Sequence, residues 1–225
     1  MVKVVLEQPI HALNSLESFS GSGIYVLYYA GDFEPYKPIA DKNQNQEWEQ
    51  PIYVGEATRK GGRKGGVLAE GPPGKAIFER LGNHADSIRN VSNLRVEDFW
   101  CCYLVLKDFF IPLCESLLID RYKPIWNKLI DGFGNKALGG PRQKSQQKSM
   151  WDVLHPGRPG AGISRNKKYP DAESVLDAVR KFVAGEPVPL IPTDKAIEDA
   201  EESGKIQYGE DEEGLPETTK DEDNN

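Results

Sequence analysis

The stretch GIYVLYY, residues 23–29, constrains the fold of this chain more than any other. Its residues alternate: Ile24, Val26 and Tyr28 point one way, and Tyr25, Leu27 and Tyr29 the other. A period of two in a short apolar run predicts a β-strand. IYVG at 52–55 is a second predicted strand, antiparallel to the first. Between them lies a polar connection, residues 30–50, broken by Gly31, Pro35 and Pro38. Each strand carries a tyrosine in a place where valine or isoleucine would fill the sheet without a hydroxyl to satisfy. Tyr25 and Tyr53 are therefore either hydrogen-bonded structure or groups that do chemistry.

The rest of the chain alternates between two periods. Ile77, Leu81, Ala85 and Ile88 recur at helical spacing and predict an amphipathic helix over 75–90. FWCCYLVL, 99–106, is apolar and β-prone and reads as a third strand. Pro112 suits a first helical turn, Leu113, Leu117 and Leu118 supply an apolar stripe, and Pro124 stops that helix. Asp171 is positioned to cap a helix running to about Ala184, with Val175, Val179, Phe182 and Val183 inward. The expected fold class is α+β: a three-stranded antiparallel sheet flanked by helices, followed by a basic C-terminal extension. Its expected parts are an N-terminal arm over 1–21, a main domain over 22–131, an extension over 132–190 with a helix near 171–184, and a tail over 191–225.

Charge separates these parts. The whole chain carries −7, yet residues 193–225 hold 13 acidic and 3 basic side chains and are expected to be disordered. Residues 132–170 hold 8 basic side chains and one acid, Asp152. The loop 58–75 (TRKGGRKGGVLAEGPPGK) has five basic residues against one acid, Glu70. The overall acidity thus conceals two basic segments suited to a polyanion. Three cysteines, two of them adjacent, make neither a disulfide framework nor a metal-ligand spacing, which fits a reducing, cytoplasmic setting. The N-terminus has no run long and apolar enough to predict a signal peptide or a membrane span.

Four further side chains stand out on the predicted elements. Arg80 and His84 are four apart and share a helix face beside the apolar stripe. Glu115 is a lone carboxylate among packing leucines in the first turn or so of the next helix, and Asn127 follows just beyond that helix. The order is tyrosine strand, tyrosine strand, helix with Arg and His, strand, helix with Glu, then Asn.

That ordered set resembles the GIY-YIG endonuclease superfamily. Gly23-Ile24-Tyr25 matches its first name motif, and Tyr53-Val54-Gly55 matches the YVG form of the second. Arg80, Glu115 and Asn127 fall where the superfamily places its helical arginine, its metal-binding glutamate and its C-terminal asparagine. The resemblance covers roughly residues 22–130. His84 and the basic C-terminal half resemble the type II restriction branch, and among its members the enzymes that cut CCGCGG. Where many members carry a lysine after the second glycine, this chain has Glu56, which removes one phosphate contact.

The resemblance implies a Mg²⁺-dependent deoxyribonuclease acting on double-stranded DNA as a homodimer, since a palindromic site favours a two-fold pair. Phosphodiester hydrolysis needs an activated water and compensation for charge developing on the phosphoryl oxygens. Glu115 would hold one Mg²⁺, and Arg80 would clamp the phosphate. Tyr25 would act as base if the metal or Arg80 lowers its pKa, with His84 and Tyr53 assisting and Asn127 in support. Phosphate contacts are expected from Arg59, Lys60, Arg63 and Lys64 in the loop, and from Arg142, Lys144 and Lys148 in the extension. Two other readings use the same residues: a repair or mobile-element nuclease, and a DNA-binding module without catalysis. GPPGKA at 71–76 lacks the Ser/Thr and the preceding strand of an ATPase phosphate loop. His11 and His155 have no partners at metal spacing.

Overall fold

The computed structural model describes residues 2–58, 74–134, 148–159, 161 and 171–188. The loop residues Arg59, Lys60, Arg63 and Lys64, together with Arg142, Lys144 and the acidic tail, lie outside the described residues.

The predicted strands form as β2 (Gly23–Tyr29), β3 (Pro51–Ala57) and β4 (Phe99–Val105). A fourth strand, β1 (His11–Ala12), also pairs with β4, so among the described residues the sheet has four strands where the sequence predicts three. Two residues are too few to display any alternation, and only the tertiary pairing of His11 with Cys101 reveals them. The order is β1-β4-β2-β3, antiparallel throughout, with β2 flanked on both sides. Tyr25 stands opposite Gly55 on β3 and Tyr103 on β4. Gly23 is required by close approach, because a Cβ there would run into the Leu104 carbonyl oxygen.

The alternation in GIYVLYY sorts the two sides of the sheet. Ile24, Val26 and Tyr28 join Val54 and Cys102 in one cluster. It is covered by α1 (Val2–Leu6) and by Ile111, Cys114 and Leu118 of α4 (Ile111–Tyr122). Tyr25, Leu27 and Tyr29 face the larger cluster, with Ile77, Leu81, Ala85 and Ile88 of α3 (Ala76–Arg89). The connection between β2 and β3 holds a short helix, α2 (Lys37–Asp41). Behind α4 come α5 (Ile125–Lys128), α6 (Met150–Leu154) and α7 (Ala172–Ala184). Met150, Trp151 and Leu154 of α6 and Val175 and Val179 of α7 pack into the same cluster as Tyr25. Asp171 caps α7 as its sequence position predicts, accepting from the Ser174 amide at 2.7 Å, and Gly185 closes the helix with φ +73°.

The cysteines are buried without a disulfide, and burial pushes the Cys101 and Cys102 thiols up to about 12. Among the described residues no helix is long and apolar enough to cross a membrane.

Candidate active site

β3 positions the site through three local devices. Gly55 faces Tyr25 across the sheet, and a Cβ at Gly55 would strike the Tyr25 hydroxyl, so the glycine makes room for that phenol. Tyr53 projects from the same side as Gly55, and its ring centroid lies 6.3 Å from that of Tyr25. Asn127 then anchors the strand. Its Oδ1 accepts from the Val54 amide at 2.8 Å and its Nδ2 donates to the Val54 carbonyl at 2.8 Å. Both side-chain bonds thus hold the middle of the Tyr53-Val54-Gly55 segment.

α3 supplies the opposing wall. Its apolar stripe seats the helix on the sheet and turns Arg80 and His84 toward the two phenols. Arg80 donates hydrogen bonds to both Tyr25 and Tyr53. His84 is fully buried, with Nε2 2.7 Å from Tyr25 Oη. Its Nδ1 has no hydrogen-bond partner. A buried bare lone pair is tolerated better than a buried orphan N–H, so the assignment that costs least puts the proton on Nε2. His84 then donates to Tyr25 Oη, and the Tyr25 hydroxyl in turn bonds Tyr53.

The charge states follow from surroundings. Burial, then the neighbouring Tyr53, hold Tyr25 well above the ordinary phenol value, while Arg80 pulls it down. Burial also raises Tyr53, again opposed by Arg80. Burial drives His84 well below the ordinary imidazole value, reinforced by Arg80 and Arg158, so its ring is neutral at neutral pH. At neutral pH these four groups are two phenols, one guanidinium and one neutral imidazole.

Glu115 lies on α4, within electrostatic reach of Tyr25, Tyr53 and Arg80. Burial, then the charge of Glu56, push it up to about 7, against the pull of Arg80. Glu56 alternates with Gly55 along β3 and so shares the α4 side of the sheet with Val54. Its Oε2 is buried without a partner. Two carboxylates near enough to act on each other electrostatically, one with an orphaned oxygen, are a donor set that a hard divalent cation fits. Among the described residues no group of three or more His, Cys, Asp or Glu could hold a metal, so such an ion would keep much of its water.

Sequence reasoning missed a third wall. The ring of Phe133 stacks on His84 with centroids 4.5 Å apart and planes 17° apart, and it meets Tyr53 edge-on at 5.0 Å. Behind it, Arg158 forks onto Asp152, with Nε to Oδ1 at 2.8 Å and Nη2 to Oδ2 at 2.7 Å. The signal that could have drawn attention was one aromatic among glycines in DGFGN, and one acid in a segment of bases. Lys148, expected on the DNA side, is partly exposed just before the Ser149 cap of α6.

The sheet order, the two phenols on neighbouring strands and the Arg/His helix with a carboxylate opposite define a GIY-YIG nuclease domain, an enzyme whose substrate is DNA. Within that class the chain belongs to the Eco29kI GIY-YIG domain family, which matches residues 17–183, well over half its length. This is a family of restriction endonucleases. No curated protein matches the chain.

Proposed function

We propose that this protein is a Mg²⁺-dependent type II restriction endonuclease that cuts double-stranded DNA at a short palindrome as a homodimer, CCGCGG being the first sequence to test. The observation that carries the reading is the contact of Tyr25 Oη with His84 Nε2 at 2.7 Å, beneath an arginine that bonds both phenols. A structural tyrosine needs one partner; this one sits among three groups that act on its proton.

Glu115, with Glu56 beside it, would hold Mg²⁺, which when bound supplies Lewis acidity to a phosphoryl oxygen and to the leaving 3′ oxygen. The chain's own residues do the rest. Arg80 clamps the phosphate and neutralises charge that grows as the water oxygen bonds to phosphorus and the bond to the 3′ oxygen breaks. Tyr25, as phenolate, accepts the proton of the attacking water. Arg80 and the His84 Nε2–H both donate to the Tyr25 oxygen and favour that phenolate, while burial opposes it. Tyr53 orients the water or a phosphate oxygen. Asn127 holds the β3 backbone that carries Tyr53. Phosphate contacts away from the reacting group come from Arg59, Lys60, Arg63, Lys64, Arg142, Lys144 and Lys148. Neutralising the last three should flatten the salt dependence of binding by about 0.9 in slope for each phosphate no longer paired with a cation.

The deciding experiment is plasmid cleavage with Mg²⁺, followed by sequencing of the ends. Discrete fragments sharing a short palindrome are expected; random nicking overturns the restriction reading. Glu115→Gln should abolish cutting while leaving DNA affinity within about tenfold, because the ion's ligand goes and the basic surface stays. Wild-type cleavage by that variant would sink the metal assignment.

A further inference from the structure

Residues 149–158 reach back to the site through the turn at 131–134. The Met150 amide donates to Asp131 Oδ1 at 3.1 Å, and the Trp151 amide donates to the Asp131 carbonyl at 3.0 Å. Arg158 Nη2 donates to the Gly132 carbonyl at 3.1 Å while the same guanidinium forks onto Asp152. The pair is nearly out of solvent, with side chains 10% and 5% exposed, and the guanidinium lies 4.8 Å over the Trp151 ring. The Ser149 hydroxyl fixes the other side of the carboxylate, donating to Asp152 Oδ2 at 2.7 Å. The turn so held carries Phe133 onto the His84 ring. It also brings Gly134, at φ +80°, so near that a Cβ would sit 2.8 Å from His84 Cε1 and 3.1 Å from Arg80 Nη2.

We propose that Phe133, Asp152 and Arg158 are positioning residues for His84: the buried ion pair holds the turn that fixes the imidazole plane against Tyr25.

The inference rests on the reading of His84 as the partner of the reacting phenol. A histidine with one hydrogen bond can swing about it; Phe133 stacked at 17° and the Gly134 backbone remove that freedom. The charged and titratable groups facing His84 are Tyr25 from β2, Tyr53 from β3 and Arg80 from its own helix, while Arg158, paired with Asp152, acts on it electrostatically from beyond α6. The two tyrosines are uncharged at neutral pH, and Arg80 and Arg158 both disfavour protonation of the imidazole, the pull of Arg158 being reduced by the Asp152 carboxylate that pairs with it. A forked, buried Arg–Asp pair is geometrically exacting, which suits a part whose task is placement.

The test compares wild type with Asp152→Asn/Arg158→Met, a pair of changes that leaves no buried charge unpartnered. Ring-labelled histidine NMR reads the titration of His84, and single-turnover cleavage of plasmid DNA reads the chemistry. The double variant should titrate His84 at higher pH than wild type and cut about tenfold to a hundredfold more slowly at unchanged DNA affinity. Arg158→Lys keeps the charge, so it should leave the titration near wild type and lose rate alone. Phe133→Leu should slow cutting, and Phe133→Tyr, which keeps the ring plane, should restore it. Wild-type titration and rate in the double variant would overturn the proposal, as would a rate loss that vanishes on cooling to restore the folded fraction. If wild type cuts no DNA, the functional reading falls, and an unmoved His84 titration would then still overturn the clamp.

Discussion

Two histidines are wholly buried in this protein, and each touches a tyrosine hydroxyl through Nε2. Both ring nitrogens of His155 have a partner, and each bond has one direction, although Nε1 of the neighbouring Trp151 is buried without a partner. Trp126 Nε1 donates to Tyr36 Oη at 2.8 Å, so the Tyr36 hydroxyl donates to His155 Nε2 at 2.8 Å. His155 Nδ1 then carries the proton and donates to Asn93 Oδ1 at 3.0 Å, and Asn93 Nδ2 donates to the Leu154 carbonyl. That chain ties α5, α6 and the residue just before α2 into one unit and leaves no proton to move. Around His84 the accounting does not close: Nδ1 has no partner, and Tyr25 is shared by His84, Arg80 and Tyr53. The difference teaches how structure and chemistry part company in one core. An imidazole bonded at both nitrogens stabilises a fold; one bonded at a single nitrogen, beside an arginine, keeps a phenol ready to change its charge.

The largest expected contrast comes from removing the two hydroxyls. Tyr25→Phe should cut the single-turnover rate on the order of 10²–10⁴-fold, the usual cost of losing a general base, and, because it strands the buried His84 Nε2, should also cost about 1–3 kcal/mol in urea unfolding. Tyr36→Phe should lose stability alone. It strands Trp126 Nε1 and His155 Nε2, at about 1–3 kcal/mol for each unsatisfied group in urea unfolding, while the rate of the folded enzyme holds. Early melting with a near-normal rate in Tyr25→Phe would return that residue to the structural side.

A second contrast lies in pH and rate. Because burial holds Tyr25 well up, the phenolate fraction grows throughout the neutral range, and single-turnover cleavage should rise steadily with pH. A rate that is flat from pH 6 to pH 8 under single-turnover conditions, with chemistry limiting, argues against Tyr25 as base.

Stability against pH sharpens the comparison further. Burial drives His155 from 6.5 down to about 3, and His84 falls in the same direction. A depressed histidine contributes stability that is whole above pH 6.5 and is lost as pH falls toward the folded value. Urea midpoints should therefore decline from about pH 6.5 toward pH 3, and a His155→Gln variant should show a shallower slope.

The smallest effect runs the other way. Glu115 is raised from 4.5 to about 7, so its contribution is whole below pH 4.5 and is lost as pH rises through about 7. Metal-free protein should lose a little stability across that window, Mg²⁺ should restore it, and Glu115→Gln should abolish both changes.

Much of the site is legible because its parts are motifs on regular elements. Tyr25 and Tyr53 announce themselves by alternation, and Arg80 and His84 by helical spacing. Asn127 is harder: its position suggests a cap or a turn, whereas it braces β3 with both ends of its amide. Phe133, Asp152 and Arg158 are not legible, since their meaning lies in a return of the chain 49, 68 and 74 residues after His84. Arg158 counts toward the positive charge of 132–170, yet Asp152 neutralises it inside the protein. His155 has no partner at metal spacing in the sequence, and what holds it is a hydrogen bond to Tyr36 at 119 residues' separation. The fourth strand escapes for the same reason, being two residues defined wholly by their partner.

The amide of Asn127 has one more consequence. An outermost strand normally offers free N–H and C=O groups on which another chain can build. At Val54 both groups are already taken, and at the far side the sheet ends in a strand of only two residues. Neither border is a good template for an added strand. An added strand would therefore find β3 already occupied at Val54, and the reactive strand is protected there from edge-to-edge aggregation.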